Sequence, residues 1–192
     1  EFQQAEIEVT TNFKLLEKTT AWVDHTHKVL ENTSLMLAHA VDMETGMRGY
    51  LLAGESDFLE PYNKGKKSFF KEAQALQESV SDNPAQVDRL EKMQTLIKDW
   101  INNVVEPVIN LRAEVADGIG SLEDIDDYVS EKKGKQYFDA FRQSVEKFSK
   151  IERELMGERQ KSAKTAEQEV EQHLEIMKQN EHWVTHTYKV IA

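Results

Sequence analysis

The stretch VTTNFKLLEKTTAWVDHTHKVLENTSLMLAHAVDMETGMR, residues 9–48, decides the fold. Within it Val9, Phe13, Leu16, Thr20, Val23, His27, Leu30, Ser34, Leu37, Val41, Glu44 and Arg48 recur at alternating steps of four and three. That spacing is a heptad seam, which only an α-helix can keep on one face. No proline interrupts it, and Gly54 stands where a helix C-terminal cap belongs, so the first helix is predicted over residues 4–52.

The rest of the chain agrees with a helical reading. Eight Gly and three Pro in 192 residues are too few for a sandwich, barrel or doubly wound sheet, which need frequent turn residues. The length fits one domain spanning residues 1–192, with a core over about 10–160. A net charge of −11 with unclustered basic residues argues against a nucleic-acid partner. The absence of cysteine removes disulfides, thiol nucleophiles and Cys-type metal sites. No window supplies the roughly 20 apolar residues of a membrane helix. Both ends stop in mid-helix patterns, as expected of a fragment cut from a longer protein.

Ser56 or Asp57 is expected to cap a second helix carrying Phe58, Leu59, Tyr62, Phe69, Phe70, Ala73 and Leu76. Pro84 suits the first turn of a third, with Val87, Leu90, Met93, Ile97, Trp100, Ile101, Val104 and Val108 on its apolar face and a kink expected at Pro107. Residues 117–134 turn acidic, and Ser121 can cap a short helix through Tyr128. A last helix is predicted from near Lys135 to the chain end through Phe138, Phe141, Val145, Phe148 and Ile151. Two long and two shorter helices in alternation define an all-α, up-down-up-down four-helix bundle whose first and last helices form an extended stem, with residues 161–192 a stem helix. The stem seam is thinly apolar and mixes in Thr20, His27, Ser162 and Asn180, so a parallel homodimer is expected to cover it. Trp22 to Leu30 echoes Trp183 to Ile191, six of nine residues identical at an offset of 161, which reads either as shared heptad composition or as entry into a second copy of the module.

The chemically unusual segment is Asp42-Met43-Glu44-Thr45-Gly46-Met47-Arg48-Gly49-Tyr50. It puts charges on an apolar seam and two glycines in the last turns of a long helix, each Gly costing about 1 kcal/mol relative to Ala. Glu44 and Arg48 are spaced to pair along the helix, and Arg48 has donors left for Asp57 or Glu60 beyond the turn. Gly46 and Gly49 can admit another helix closely. A polar clasp fixing the end of the bundle and direct ligand contact both satisfy these observations.

Asp42 to Leu52, followed by Phe58-Leu59-Glu60-Pro61-Tyr62, resembles the signature of the third class of CHASE domain, and weaker likeness continues through Gly134-Lys135 and Asp139 to Arg142. The resemblance implies a periplasmic, extracytoplasmic sensory domain of a bacterial inner-membrane receptor. It further implies a homodimer flanked by transmembrane helices, binding an unknown small-molecule ligand and coupled to a chemoreceptor rod, a histidine kinase or a nucleotide cyclase. The long tail favours a methyl-accepting chemotaxis receptor with two modules in tandem. The site residues so implied are Asp42, Glu44, Thr45, Gly46, Arg48, Gly49, Tyr50, Phe58, Glu60 and Tyr62.

No cofactor or metal is expected. His182 and His186 are spaced i, i+4, which lets two imidazoles share a cation, and His25 with His27 could lie at a comparable height on the first helix, but no Glu-x-x-His occurs, and Asp117 with Glu123, Asp124, Asp126 and Asp127 lacks EF-hand spacing. No nucleophile elbow or phosphate-cradling loop is present, so catalysis is not expected. Trp22, Trp100 and Trp183 read as core or interface fillers, and Met36, Met43, Met47, Met93, Met156 and Met177 as gap-fillers in the seams. A ligand-free dimerisation stalk is the competing reading of the whole chain.

Overall fold

The computed structural model describes the backbone of residues 2–191 and the side chains of residues 7–179. Helix α1 spans Phe2–Ala53. It stops because Gly54 takes the left-handed conformation at φ 76°, its N–H bonding the Tyr50 carbonyl at 2.8 Å, while Arg112 Nε donates to the Leu51 carbonyl at 3.0 Å. A cation on the last carbonyls is also what the negative end of the helix dipole favours.

A 3-10 turn over Ser56–Leu59 leads into α2, Glu60–Ser79. The expected cap from Ser56 or Asp57 is not made: Leu59 occupies the cap position without a side-chain bond, and Pro61 in the first turn starts the helix, its missing N–H costing nothing there. Helix α3, Pro84–Trp100, is capped by Asn83, whose side chain accepts from Gln86 N at 3.3 Å. A π-helical segment, Ile101–Val105, joins α3 to α4, Glu106–Ala116. The irregularity expected at Pro107 thus lies just ahead of it. Proline cannot donate to the carbonyl four residues back, that of Asn103, and the Tyr128 hydroxyl donates to it instead at 2.7 Å. Helix α5, Leu122–Ser130, opens with a capping box between Ser121 and Asp124, and α6 runs from Lys133 to Ile191, starting two residues earlier than expected.

The chain divides into two compact units, each formed partly by α1 and α6. In the first, residues 29–151, four helical rods pack with alternating direction. Gly46 and Gly65 mark the antiparallel α1–α2 crossing, Gln77 bonds Glu91 and Lys66 bonds Glu106 across α2 and the α3–α4 rod, and Trp100 meets Phe138 on α6. The architecture is an up-down-up-down helical bundle, with no strand among the described residues. Its core contains Met36, Met43, Phe69, Leu76, Leu90, Met93, Ile97, Trp100, Phe141 and Phe148. Edge-on ring pairs, Phe69 with Phe141 at 5.7 Å and Trp100 with Phe138 at 5.3 Å, tie the rods together, each such pair adding about 0.5–1.5 kcal/mol beyond area burial.

The buried stripe of α1 differs from the expected seam by one residue. Thr19, Thr26, Val29, Thr33, Met36, Ala40, Met43, Met47 and Tyr50 are buried, whereas Thr20, His27, Ser34, Val41 and Arg48 are exposed and Leu30, Leu37 and Glu44 half-buried. One residue is a 100° rotation of the helix. The threonines can occupy the inner stripe because their hydroxyls bond the carbonyls four residues back, Thr19 to Leu15 at 2.9 Å, Thr26 to Trp22 at 3.0 Å and Thr33 to Val29 at 2.6 Å.

The second unit comprises residues up to Lys28 and from Glu152 onward. Its buried described residues are Thr19, Thr26, Glu152, Ala166 and Val170, a sparse and partly polar set. Arg159 crosses from α6 to bond the Thr26 hydroxyl and stacks over the Trp22 ring at 4.5 Å, so within one chain Trp22 is a half-buried cation platform. His173 Nε2 lies 2.9 Å from Glu8. His182, His186 and the echo residues Trp183 to Ile191 lie outside the described side chains. No helix among the described residues is long and apolar enough to cross a membrane.

Candidate functional site

The bundle unit contains a cavity of about 790 Å³ where the end of α1, the π segment, α4, α5 and the start of α6 converge. Its size falls in the range of small-molecule sites. Met47, Leu51, Val104, Val108 and Ile125 supply apolar wall, and Leu52, Leu122 and Val129, all largely exposed, extend that apolar surface to the rim. Solvent-facing apolar residues gathered around a concavity are the usual mark of a binding surface. The polar groups on the wall are Glu44, Arg48, Asp126, Tyr128, Ser130, Lys132 and Lys135. Among the described residues no group of three or more His, Asp or Glu is placed to hold a metal ion.

Glu44 and Arg48 are therefore brought to the cavity, and their pairing along α1 is observed at 2.7 Å. Arg48 reaches neither Asp57 nor Glu60, contrary to expectation. The inter-helix partner belongs to Glu44, whose second oxygen lies 3.6 Å from Arg142 on α6. Arg142 also lies over the Phe138 ring at 4.8 Å, so the cation is held by packing as well as charge. With its side chain only 16% exposed, Glu44 is the member of the trio that most needs its partners.

The other motif residues shape the α1–α2 crossing. A Cβ on Gly46 would stand 2.5 Å from the backbone nitrogen of Tyr62, and one on Gly49 would meet the Phe58 ring at 2.8 Å. Both glycines thus admit the start of α2 against α1. Phe58 covers Gly49 while remaining 46% exposed, Tyr50 is buried, and Thr45 faces solvent. Asp42, paired with His39 at 3.8 Å, and Glu60 line a separate shallow depression of about 350 Å³. Tyr62 is buried with its hydroxyl making no sound hydrogen bond, and that burial pushes the phenol pKa up, against the opposing pull of Lys66. Lys66 is itself raised, first by its bond to Glu106 at 2.9 Å.

Several residues of this region carry no local sequence signal. Gly65 stands inside α2, where a Cβ would be 2.6 Å from the His39 carbonyl. Arg112 caps α1 from 61 residues away, and Trp100, Tyr128 and Gly134 reach the cavity from three different helices and Lys132 from the linker before α6. A buried glycine in the middle of an otherwise apolar helical face was the one available hint, for Gly65.

The bundle thus carries a mixed apolar and charged cavity at one end. The chain belongs to the CHASE3 domain family, whose model matches residues 19–162. CHASE3 domains are sensory, non-catalytic modules of membrane receptors. The fold is similar to the crystal structure of the sensor domain of Rhodopseudomonas palustris histidine kinase HK9, with a TM-score of 0.60 and 18% identity over 69% of this chain and 98% of that one. No curated protein matches the sequence.

Proposed function

We propose that this chain is the extracytoplasmic, periplasmic part of a homodimeric transmembrane receptor, and that it senses a small molecule in the bundle cavity. The observation that carries this reading is the coincidence of the cavity with Glu44 and Arg48 of the family motif. Glu44 sits between an arginine of its own helix and one of α6, so a small displacement of α6 makes or breaks the Arg142 pair while the Arg48 pair within α1 persists. A single long ion pair between helices is the kind of contact that a ligand can bias through differential affinity for its two states. Helices α1 and α6 both line the cavity and each continues without a break towards its chain end, which supports their role in carrying the change to the membrane.

Likeness to a histidine-kinase sensor domain supports a kinase output at least as well as a chemotaxis receptor. The sparse stem core, with Ile7, Phe13, Leu15, Leu174 and Ile176 exposed, supports a second copy as the stem's cover. Sedimentation of the chain tests the dimer. A thermal-shift screen of small metabolites tests sensing: a sensor gains melting temperature with ligand concentration, and Leu122→Asp at the cavity rim removes the gain. A chain that no metabolite stabilises, in a receptor whose output ignores Leu122→Asp, is a dimerisation stalk.

A further inference from the structure

We propose that the cavity takes an organic anion, a carboxylate carried on a compact apolar body, with the carboxylate seated between the indole N–H of Trp100 and the first turn of α6. This rests on the reading of the cavity as the sensory site and adds the chemical class of its ligand. Trp100 is 1% exposed and on the cavity wall, yet its Nε1–H bonds no residue among those described. An indole nitrogen is a donor only, and among the described residues the fully buried side-chain atoms without a partner are the Tyr62 hydroxyl and His173 Nδ1, so Trp100 Nε1 opens on the cavity, where water or a ligand acceptor meets it. Gly134, on the same wall, lies beside that nitrogen: a Cβ there would be 3.8 Å from Trp100 Nε1 and 3.1 Å from Val104 Cγ1.

Two further features give the acceptor a negative charge. The α6 ladder begins with Gln136 N donating to the Lys132 carbonyl at 3.1 Å, so the N–H groups of the preceding turn have no partner within the helix, and at Gly134 no side chain shields them. Lys132 and Lys135 stand on the wall at this helix start; Lys135 is engaged by Asp139, while Lys132 makes no ion pair among the described residues. Of the acids on the wall, Glu44 is already shared by two arginines. Asp126 on α5 forms no ion pair among the described residues, so the sign of the bound charge is the quantity to measure. Met47, Leu51, Val108, Leu122 and Ile125 leave apolar wall for the rest of the ligand.

The experiment uses the full chain with Trp22→Phe and Trp183→Phe, which leaves Trp100 as the only tryptophan. Octanoate, octanamide and octylammonium are titrated at low ionic strength, following Trp100 emission and melting temperature. Octanoate is expected to shift both saturably and to bind at least tenfold more tightly than the other two. Trp100→Phe, read by melting, and Lys132→Gln, read by both signals, should each weaken octanoate several-fold; Lys132 is exposed, so its substitution leaves the fold intact. Equal or tighter binding of octanamide or octylammonium overturns the anion assignment while leaving the cavity a ligand site. Silence from all three probes overturns the assignment, while the sensory reading is decided separately by the metabolite screen and by Leu122→Asp.

Discussion

Replacing Gly46 with alanine should destabilise the bundle, although alanine is the better helix former. Gly→Ala in a helix interior gains about 1 kcal/mol from propensity alone. At Gly46 the new Cβ would lie 2.5 Å from the Tyr62 backbone nitrogen, 3.1 Å from the Phe58 carbonyl oxygen and 3.2 Å from the Pro61 Cβ. Ordinary contact distances are about 3.5–4.0 Å, so the first turn of α2 has to retreat by roughly 1 Å. Neither a backbone amide nor a proline ring can swing aside as a flexible side chain does. Overpacking of this kind costs about 1–3 kcal/mol, leaving a net loss of about 1 kcal/mol, or roughly 2–4 °C in Tm for a chain of this size. Gly157 is the internal control: nothing lies within 4 Å of its Cβ position, so Gly157→Ala keeps the whole propensity gain. Thermal and urea unfolding followed by circular dichroism at 222 nm read both variants. If Gly46→Ala stabilises as much as Gly157→Ala, α2 does not approach α1 at this point and the role given to the motif glycines fails.

Tyr128→Phe deletes the donor to the Asn103 carbonyl that Pro107 leaves unmatched; a loss of about 1–2 kcal/mol is expected, and hydrogen exchange should quicken in residues 101–106. Unchanged exchange there would show that the hydroxyl does not support the π segment. Tyr62→Phe should leave stability unchanged or slightly higher, because the hydroxyl it removes is buried and makes no sound bond; a clear fall in the urea midpoint contradicts this. Acid should fray α5 first. The Ser121 backbone N–H, and then its hydroxyl, hold the Asp124 pKa below the usual carboxylate range, so the capping contribution is complete above that ordinary value near pH 4 and is lost as pH falls through the depressed folded value. The chemical shifts of α5 amides should follow that titration, and Asp124→Asn should abolish it.

The motif residues were legible as a group, but their roles were not equally so. The i, i+4 pairing of Glu44 and Arg48 is a property of helix geometry and holds in any fold that keeps α1. The partner across the bundle is not: Arg48 reaches neither Asp57 nor Glu60, and the cross-bundle pair falls to Glu44 with Arg142, nearly a hundred residues along the chain. The cavity is in the same position, since Met47, Trp100, Ile125 and Gly134 share no periodicity or spacing.

Local sequence determined which segments are helical and several of their limits, though not the start of α2, where Leu59 and not Ser56 or Asp57 holds the cap position. Gly54, Pro84 with Asn83, and the Ser121 box each stop or start a helix through backbone geometry and one nearby side chain, which act wherever the segment sits. Which stripe of α1 faces inward was decided only in the folded chain. Leu30, Leu37 and Val41 outrank Thr26, Thr33 and Ala40 in hydropathy, yet the latter line the interior. A threonine bonded to its own helix presents little more than a methyl group, and at the α2 crossing the Gly65 backbone comes against His39 and Met43, beside Ala40. Hydropathy counts what a residue gains by leaving water; the rotation of a helix is set by what its neighbours leave room for.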